Sequence, residues 1–407
     1  MSGLNRVFDR EQVERARSYH RPLYRAELGA IALYLVLLVL LSFTVIGDHL
    51  YALTSGWPWP ARAVPFSFIV VTLTAFVRLP IAYWAGYLHE HEWALSNQSR
   101  GAWAVERVKG LAVSLVLITG ALLGLIASAR FWPVAWPALV AAAAASLVLL
   151  LGFFAPLILE PLFSKFRPVT DDELATRMQA LAATAGFPVE RVLVADASRR
   201  TRKLNAYVSG LGRTRRLVLF DTLLAEATQP ELELVVAHEL GHRKARHLVK
   251  ATLLGMFGAV TFVIALWALL RWPALRSSLD VTGAGDPRLV PFVLLLGSVF
   301  GLMASPLGAS LSRRWEREAD AFSLELTGDL ESFESTHRRL ALANLADLAP
   351  PRIVYLAWFS HPTPPERIAA ARMQSLEPAK SVAKPADQTA TAVDQISKSK
   401  RRTSVSP

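Results

Sequence analysis

Cysteine is absent from the 407 residues. That excludes disulfides and thiolate metal sites, and it fits a chain whose soluble parts face a reducing compartment. Charge is scarce: 19% of residues are charged and 53% are hydrophobic, which argues against an ordinary soluble protein. No internal repeat is found, so a solenoid or propeller is not expected. A cleaved leader is not expected either, because the first apolar run starts late and no small-residue cleavage pattern follows it.

The apolar residues are clumped. Uncharged runs occupy Leu28–Gly47, Gly110–Ala129, Phe131–Leu159, Ala251–Leu270 and Leu289–Ser312, and a further run, Ala63–Leu88, is interrupted only by Arg78. Each is long enough to cross a hydrocarbon core of about 30 Å as a helix. The expected fold is therefore mainly α: a polytopic bundle of about six spans with a small α+β domain. Arg78 is costly at depth unless it faces water or a partner, so it lines a cavity, snorkels to the interface or marks a span boundary placed differently.

The net charge is +11, and its placement predicts orientation. Arg6, Arg10, Arg15, Arg17, Arg21 and Arg25 precede the first span, and Lys and Arg are also dense near residue 100, across 164–250 and in the tail. Six spans put all four regions on one side, which the positive-inside rule makes cytoplasmic. Lipid headgroups account for this charge. Nucleic acid is not expected as a partner, because no aromatic-interleaved basic domain stands apart from the membrane.

These patterns divide the chain into a cytoplasmic lead-in (1–27), four spans (28–163), a cytoplasmic block (164–250), two spans (251–312), a helical completion (313–376) and a basic tail (377–407). The tail is poor in large apolar residues and reads as disordered. Within the block, DDELATRMQALAATAGF has helical spacing, and RVLVADAS, NAYVSG and RRLVLFDTLL read as strands. A helix follows from about Glu231, with Pro230 as its start signal. The sixth span is predicted to run on without a break through SLSRRWEREADAFSLELTG to Gly328.

That block ends in AHELGHRKARH. On a helix His238 and His242 point to one side, as two ligands of a zinc ion must, and Glu239 between them is placed to take a proton from water. The alternative is a charged helix end at the membrane surface. A zinc hydrolase needs a third protein ligand, and Glu316 in RRWEREADAF is the best candidate because both segments emerge at the same membrane face. Asp320, four residues on, shares its helix face and can accept the second imidazole proton of a ligand histidine. The alternative there is a solvated run of charges. His247 is left out of the site and expected at a surface or interface. His89 and His91 match no ligand pattern.

HELGHRKARH, SRRWEREADAF, LEPLFSKFRPV, SRRTRKLNAYVSGLGRTRRLVLFDTLL and SHPTPPERI together resemble the type I CAAX prenyl protease family of membrane zinc metalloproteases. The resemblance covers roughly 160–370. It implies one zinc per chain held by His238, His242 and Glu316, Glu239 as catalytic base, and Asp320 as the aspartate of the family's E-x-x-A-D motif. It also implies that His361 and Arg367 lie beside the metal, able to stabilise the oxyanion; the alternative is a helix entry whose loop Pro362, Pro364 and Pro365 shape, with Arg367 paired structurally. NAYVSG resembles the strand along which substrate pairs, so Asn205 is a candidate substrate contact, with a turn role as its alternative.

The chain departs from the eukaryotic pattern in having six spans rather than seven and short cytoplasmic loops, which leaves a prenylated substrate open. The expected function is a membrane metalloendopeptidase acting on peptide or protein substrates, possible lipidated ones included, in a bacterial plasma membrane. Alternatives are a quality-control protease of the heat-shock type and a zinc-binding transporter or sensor without hydrolysis.

Overall fold

The computed structural model describes residues 7–189, 191–209 and 216–376. The predicted tail and Gly210-Leu211-Gly212, which separates the second and third expected strands, lie outside them. Among the described residues, six helices are long and apolar enough to cross a membrane. They are carried by α1 (Arg10–Phe43), α2 (Trp59–Tyr83), α3 (Arg100–Phe131), α4 (Trp136–Ile158), α7 (His247–Leu270) and α8 (Val290–Thr327). Between α4 and α7 come α5 (Asp172–Thr184) and α6 (Gln229–Lys244), and after α8 come α9 (Leu330–Ala343), α10 (Arg352–Trp358) and α11 (Pro364–Leu376). The lead-in and first span form one helix, capped by a reciprocal pair of bonds between Asp9 and Gln12.

At the far end of the bundle a core of Leu38, Phe66, Ile126, Trp136, Leu266 and Val290 joins all six spans. The outward residues of the same helices stay apolar and exposed, among them Val36, Phe76, Val116, Phe257 and Leu307. A soluble protein would bury such residues, whereas lipid solvates them. Arg78 pairs with Glu27 at 3.5 Å, level with the charged end of α1. Both line a cavity of about 1,030 Å³ between α1, α2 and α3, so the cavity and the boundary expectations for Arg78 each describe part of its setting.

The soluble part is built on four strands, β1 (Phe166–Pro168), β2 (Arg191–Ala195), β3 (Ala206–Ser209) and β4 (Arg216–Phe220), in the order β1-β2-β4-β3. The sheet is mixed: β2 and β4 run parallel, and both edge strands are antiparallel to their neighbours. β1 was not foreseen, since three residues are too few to show alternation. Met178, Leu217, Leu219, Leu232, Val236 and Leu240 close the core between the sheet, α5 and α6. This leaves β3 at the edge, beside α6.

Helix α8 spans 38 residues, about 57 Å at 1.5 Å per residue. That exceeds the hydrocarbon thickness, so its C-terminal third projects beyond the membrane and packs along α6. It ends where Gly328 turns left-handed at φ +66°, a conformation that costs glycine little.

Candidate metal centre and active site

Local sequence sets the start of α6. The Thr228 backbone N–H donates to Glu231 at 2.8 Å, completing a capping box with Pro230 in the first turn. Arg339 of α9 also donates to Glu231, at 2.9 Å. The buried residues Leu232, Val236, Ala237 and Leu240 face the core, which turns His238, Glu239 and His242 toward the α8 side and the β3 edge.

A glycine allows the close approach to α8. A Cβ at Gly241 would lie 2.9 Å from the Ala319 Cα and 3.0 Å from its carbonyl oxygen, so a side chain there would force the helices apart. In contact, they bring the His238 Nε2 to 3.4 Å from one Glu316 oxygen and the His242 Nε2 to 3.3 Å from the other. The two Nε2 atoms are 3.1 Å apart. Among the described residues, this is the group of three histidine and acidic side chains able to hold one metal ion.

The spacing and chemistry of these donors fit a metal. Donors about 2.0–2.1 Å from a tetrahedral zinc sit about 3.3 Å from each other. The Nδ1 of His238 lies 2.9 Å from Asp320, and the Nδ1 of His242 lies 2.9 Å from the Nδ1 of His247. With those protons outside, both Nε2 lone pairs point at one spot, an arrangement a cation relieves. The buried Glu316 Oε2 makes no hydrogen bond among the described residues, an orphaned acceptor facing the same spot.

Around this group, Arg367 of α11 holds Asp320 through Nε at 2.8 Å and through Nη2, which also lies 3.3 Å from the His238 Nδ1. It therefore stands beside His238, with its Nη2 also 3.9 Å from the Glu316 Oε2. His361 is on the open side, with Nε2 3.3 Å from Glu316 and a side chain 60% exposed. Arg313, one turn before Glu316, donates to the carbonyls of Tyr355 at 2.9 Å and Phe359 at 2.6 Å, pinning α10 and hence the loop that carries His361. Glu239 stays outside the donor group. Burial pushes its carboxyl above the usual range, opposed by His238 and His242 and by a hydrogen bond from the Val208 backbone.

Asn205 is exposed at the start of β3, and its side chain accepts from the Ala206 backbone at 2.9 Å, the local turn bond. His247 departs from its expected surface position: its side chain is 4% exposed. The reason is a break in the helix at Arg246, which has left-handed φ +55° and folds His247 back under His242. His89 is also buried, donating to the Tyr19 carbonyl at 2.9 Å, and joins no metal-holding group among the described residues.

Comparison with known proteins agrees with this geometry. The model of peptidase family M48 matches residues 168–375, and that of the CAAX prenyl protease N-terminal region, described as five membrane helices, matches 2–165. The uncharacterized metalloprotease YhfN of Bacillus subtilis is 31% identical, over 79% of this chain and 77% of its own. The chain belongs to peptidase family M48. Within M48 it is similar to CAAX prenyl protease 1 of Saccharomyces cerevisiae, at 25% identity over 76% of this chain and 72% of that one. The crystal structure of Saccharomyces mikatae Ste24p covers 90% of both chains with a TM-score of 0.77 at 23% identity, which shows a shared fold.

As an M48 member this is an integral-membrane metalloendopeptidase acting on peptides or proteins, and the family implies a catalytic metal. The non-hydrolytic transporter or sensor is set aside. Among the described residues, the N-terminal region holds four helices long enough to span rather than five.

Proposed function

We propose that the enzyme is a zinc endopeptidase with His238, His242 and Glu316 as ligands and Glu239 as general base. The observation that carries this is three donors at zinc spacing, two imidazoles and one carboxylate, with a second carboxyl, that of Glu239, beside them and outside the donor group. Zinc held there would polarise the scissile carbonyl and make water acidic enough to attack near neutral pH. Glu239, fixed by the Val208 N–H, takes the proton of the attacking water and delivers it to the leaving amine. The Ser360 hydroxyl lies 2.7 Å from the His361 Nδ1, so His361 can carry its proton on Nε2 and donate to the carbonyl oxygen as charge develops.

Two assignments differ in kind. Both Nε and Nη2 of Arg367 are committed to Asp320, which supports a role in holding Asp320 against His238 rather than a direct oxyanion contact. Asn205 opens the edge strand along which a substrate strand would pair, a strand whose Val208 N–H and carbonyl are held by Glu239 and Arg243. The domain limits given above, a cytoplasm-facing site in a bacterial plasma membrane and a substrate anchored at the bilayer complete the reading. The basic flanks of the spans and the short distance from α6 to the start of α7 support it.

The test is to purify wild type and Glu239→Gln, measure bound zinc, and assay a peptide with and without a farnesyl group. Zinc in both and cleavage by wild type alone is expected. Equal cleavage by the variant removes Glu239 from the mechanism, and indifference to farnesyl leaves the protease without a lipid requirement.

A further inference from the structure

His247 and Glu318 have no place in the chemistry above, yet they are built into its frame. His247 is buried, stacked on Trp315 with ring centroids 5.1 Å apart and planes 15° apart. Its Nδ1 meets the His242 Nδ1 at 2.9 Å, and its Nε2 meets Glu318 at 3.1 Å. Arg314 holds the other oxygen of Glu318 at 3.2 Å. Trp315, Glu318 and Arg314 all lie on α8, the helix that supplies Glu316. On an unbroken helix His247 would point about 140° away from His242. The left-handed Arg246 is what brings the rings together, a conformation unfavourable for a residue with a side chain.

We infer that His247 and Glu318 form a positioning relay that fixes the tautomer and ring plane of His242, and so sets how tightly the site holds its metal. This rests on the proposed ligand set. A neutral imidazole that offers Nε2 to a metal must carry its proton on Nδ1. For His242 that proton faces the His247 Nδ1, which must then be the acceptor, and the His247 proton falls on Nε2, where Glu318 accepts it. The chain of bonds has one consistent direction, ending on a carboxylate. Neither nitrogen of His247 remains free, so it is not a ligand. His238 has the matching support from Asp320, and the relay gives the second ligand histidine an anionic backing of its own. Outer partners of this kind change metal affinity about 10- to 100-fold.

The experiment uses the full chain in detergent, stripped of metal, with zinc dissociation constants measured by competition against a chelator of known affinity. His247→Phe keeps a ring on Trp315 but offers no acceptor, and its zinc affinity is expected to fall about 10- to 100-fold. His247→Asn places an amide oxygen where Nδ1 was and is expected to recover most of that loss. Glu318→Ala is expected to weaken zinc binding with the metal-free melting temperature unchanged.

Wild-type affinity in both His247→Phe and Glu318→Ala overturns the relay and leaves the ligand set standing. Equal weakness in His247→Asn and His247→Phe also overturns it, because packing rather than the hydrogen bond would then be the cause. Should His247→Phe fail to fold, Glu318→Ala alone decides: unchanged affinity refutes the relay. Absence of zinc binding in the wild type marks failure of the ligand set itself, a separate outcome.

Discussion

Gly241→Ala adds one methyl group between α6 and α8. Its Cβ would meet the Ala319 Cα at 2.9 Å, the Ala319 oxygen at 3.0 Å and the Phe322 ring at 3.2 Å. Comfortable carbon–carbon contact needs about 3.5–4.0 Å. Phe322 can rotate away, but the Ala319 backbone cannot, so the helices must part by about 0.6 Å or more. Both proposed ligand histidines lie on α6, and Glu316 lies on α8. Their 3.3 and 3.4 Å separations would approach about 4 Å, beyond the roughly 3.3 Å that a tetrahedral zinc spans.

Two energies of opposite sign make this substitution informative. Replacing glycine by alanine inside an exposed helix stabilises it by about 1 kcal/mol, whereas overfilling a packed contact costs about 1–3 kcal/mol. The account predicts a metal-free protein no more stable than wild type and a zinc affinity lower by about tenfold or more. Thermal unfolding of the metal-free chain and chelator competition read the two quantities separately. A melting temperature raised in line with helix propensity, together with unchanged zinc affinity, would refute the close approach and its role in aligning the ligands.

Other outcomes follow from the same geometry. Asp320→Asn should weaken zinc binding about 10- to 100-fold by loosening His238, read by the same competition. His361→Phe should lower kcat about 100- to 1,000-fold while zinc content stays at one per chain, read by steady-state kinetics and metal analysis. Arg313→Met leaves the Tyr355 and Phe359 carbonyls without their donor, so kcat should fall as His361 loses its position while zinc affinity holds. Chelation should abolish cleavage, and added zinc should restore it.

How much of this was legible in the sequence depended on range. The spans could be read from composition alone, because lipid demands long apolar runs whatever they pack against. That His238 and His242 share one side was legible because four-residue spacing fixes their relation on a helix, and that Glu316 meets them because α8 continues unbroken from its span. Residues that act through tertiary approach were not. Gly241 gave only the weak signal of a glycine inside a helix pattern. Arg313 looked like any charge in RRWERE, since the two carbonyls it holds lie more than forty residues away. His247 was expected at a surface or interface because the proposed ligand set is complete without it, and nothing in the local sequence announces the left-handed arginine that folds it under His242.

The most direct test of the central claim is X-ray absorption at the zinc edge of the purified wild-type enzyme. The account predicts one zinc with two imidazole nitrogens and oxygen ligands at about 2.0–2.1 Å, falling to little or no bound zinc in Glu316→Ala. Three imidazoles, or full zinc occupancy retained without Glu316, would contradict the assignment of His238, His242 and Glu316 as the metal centre.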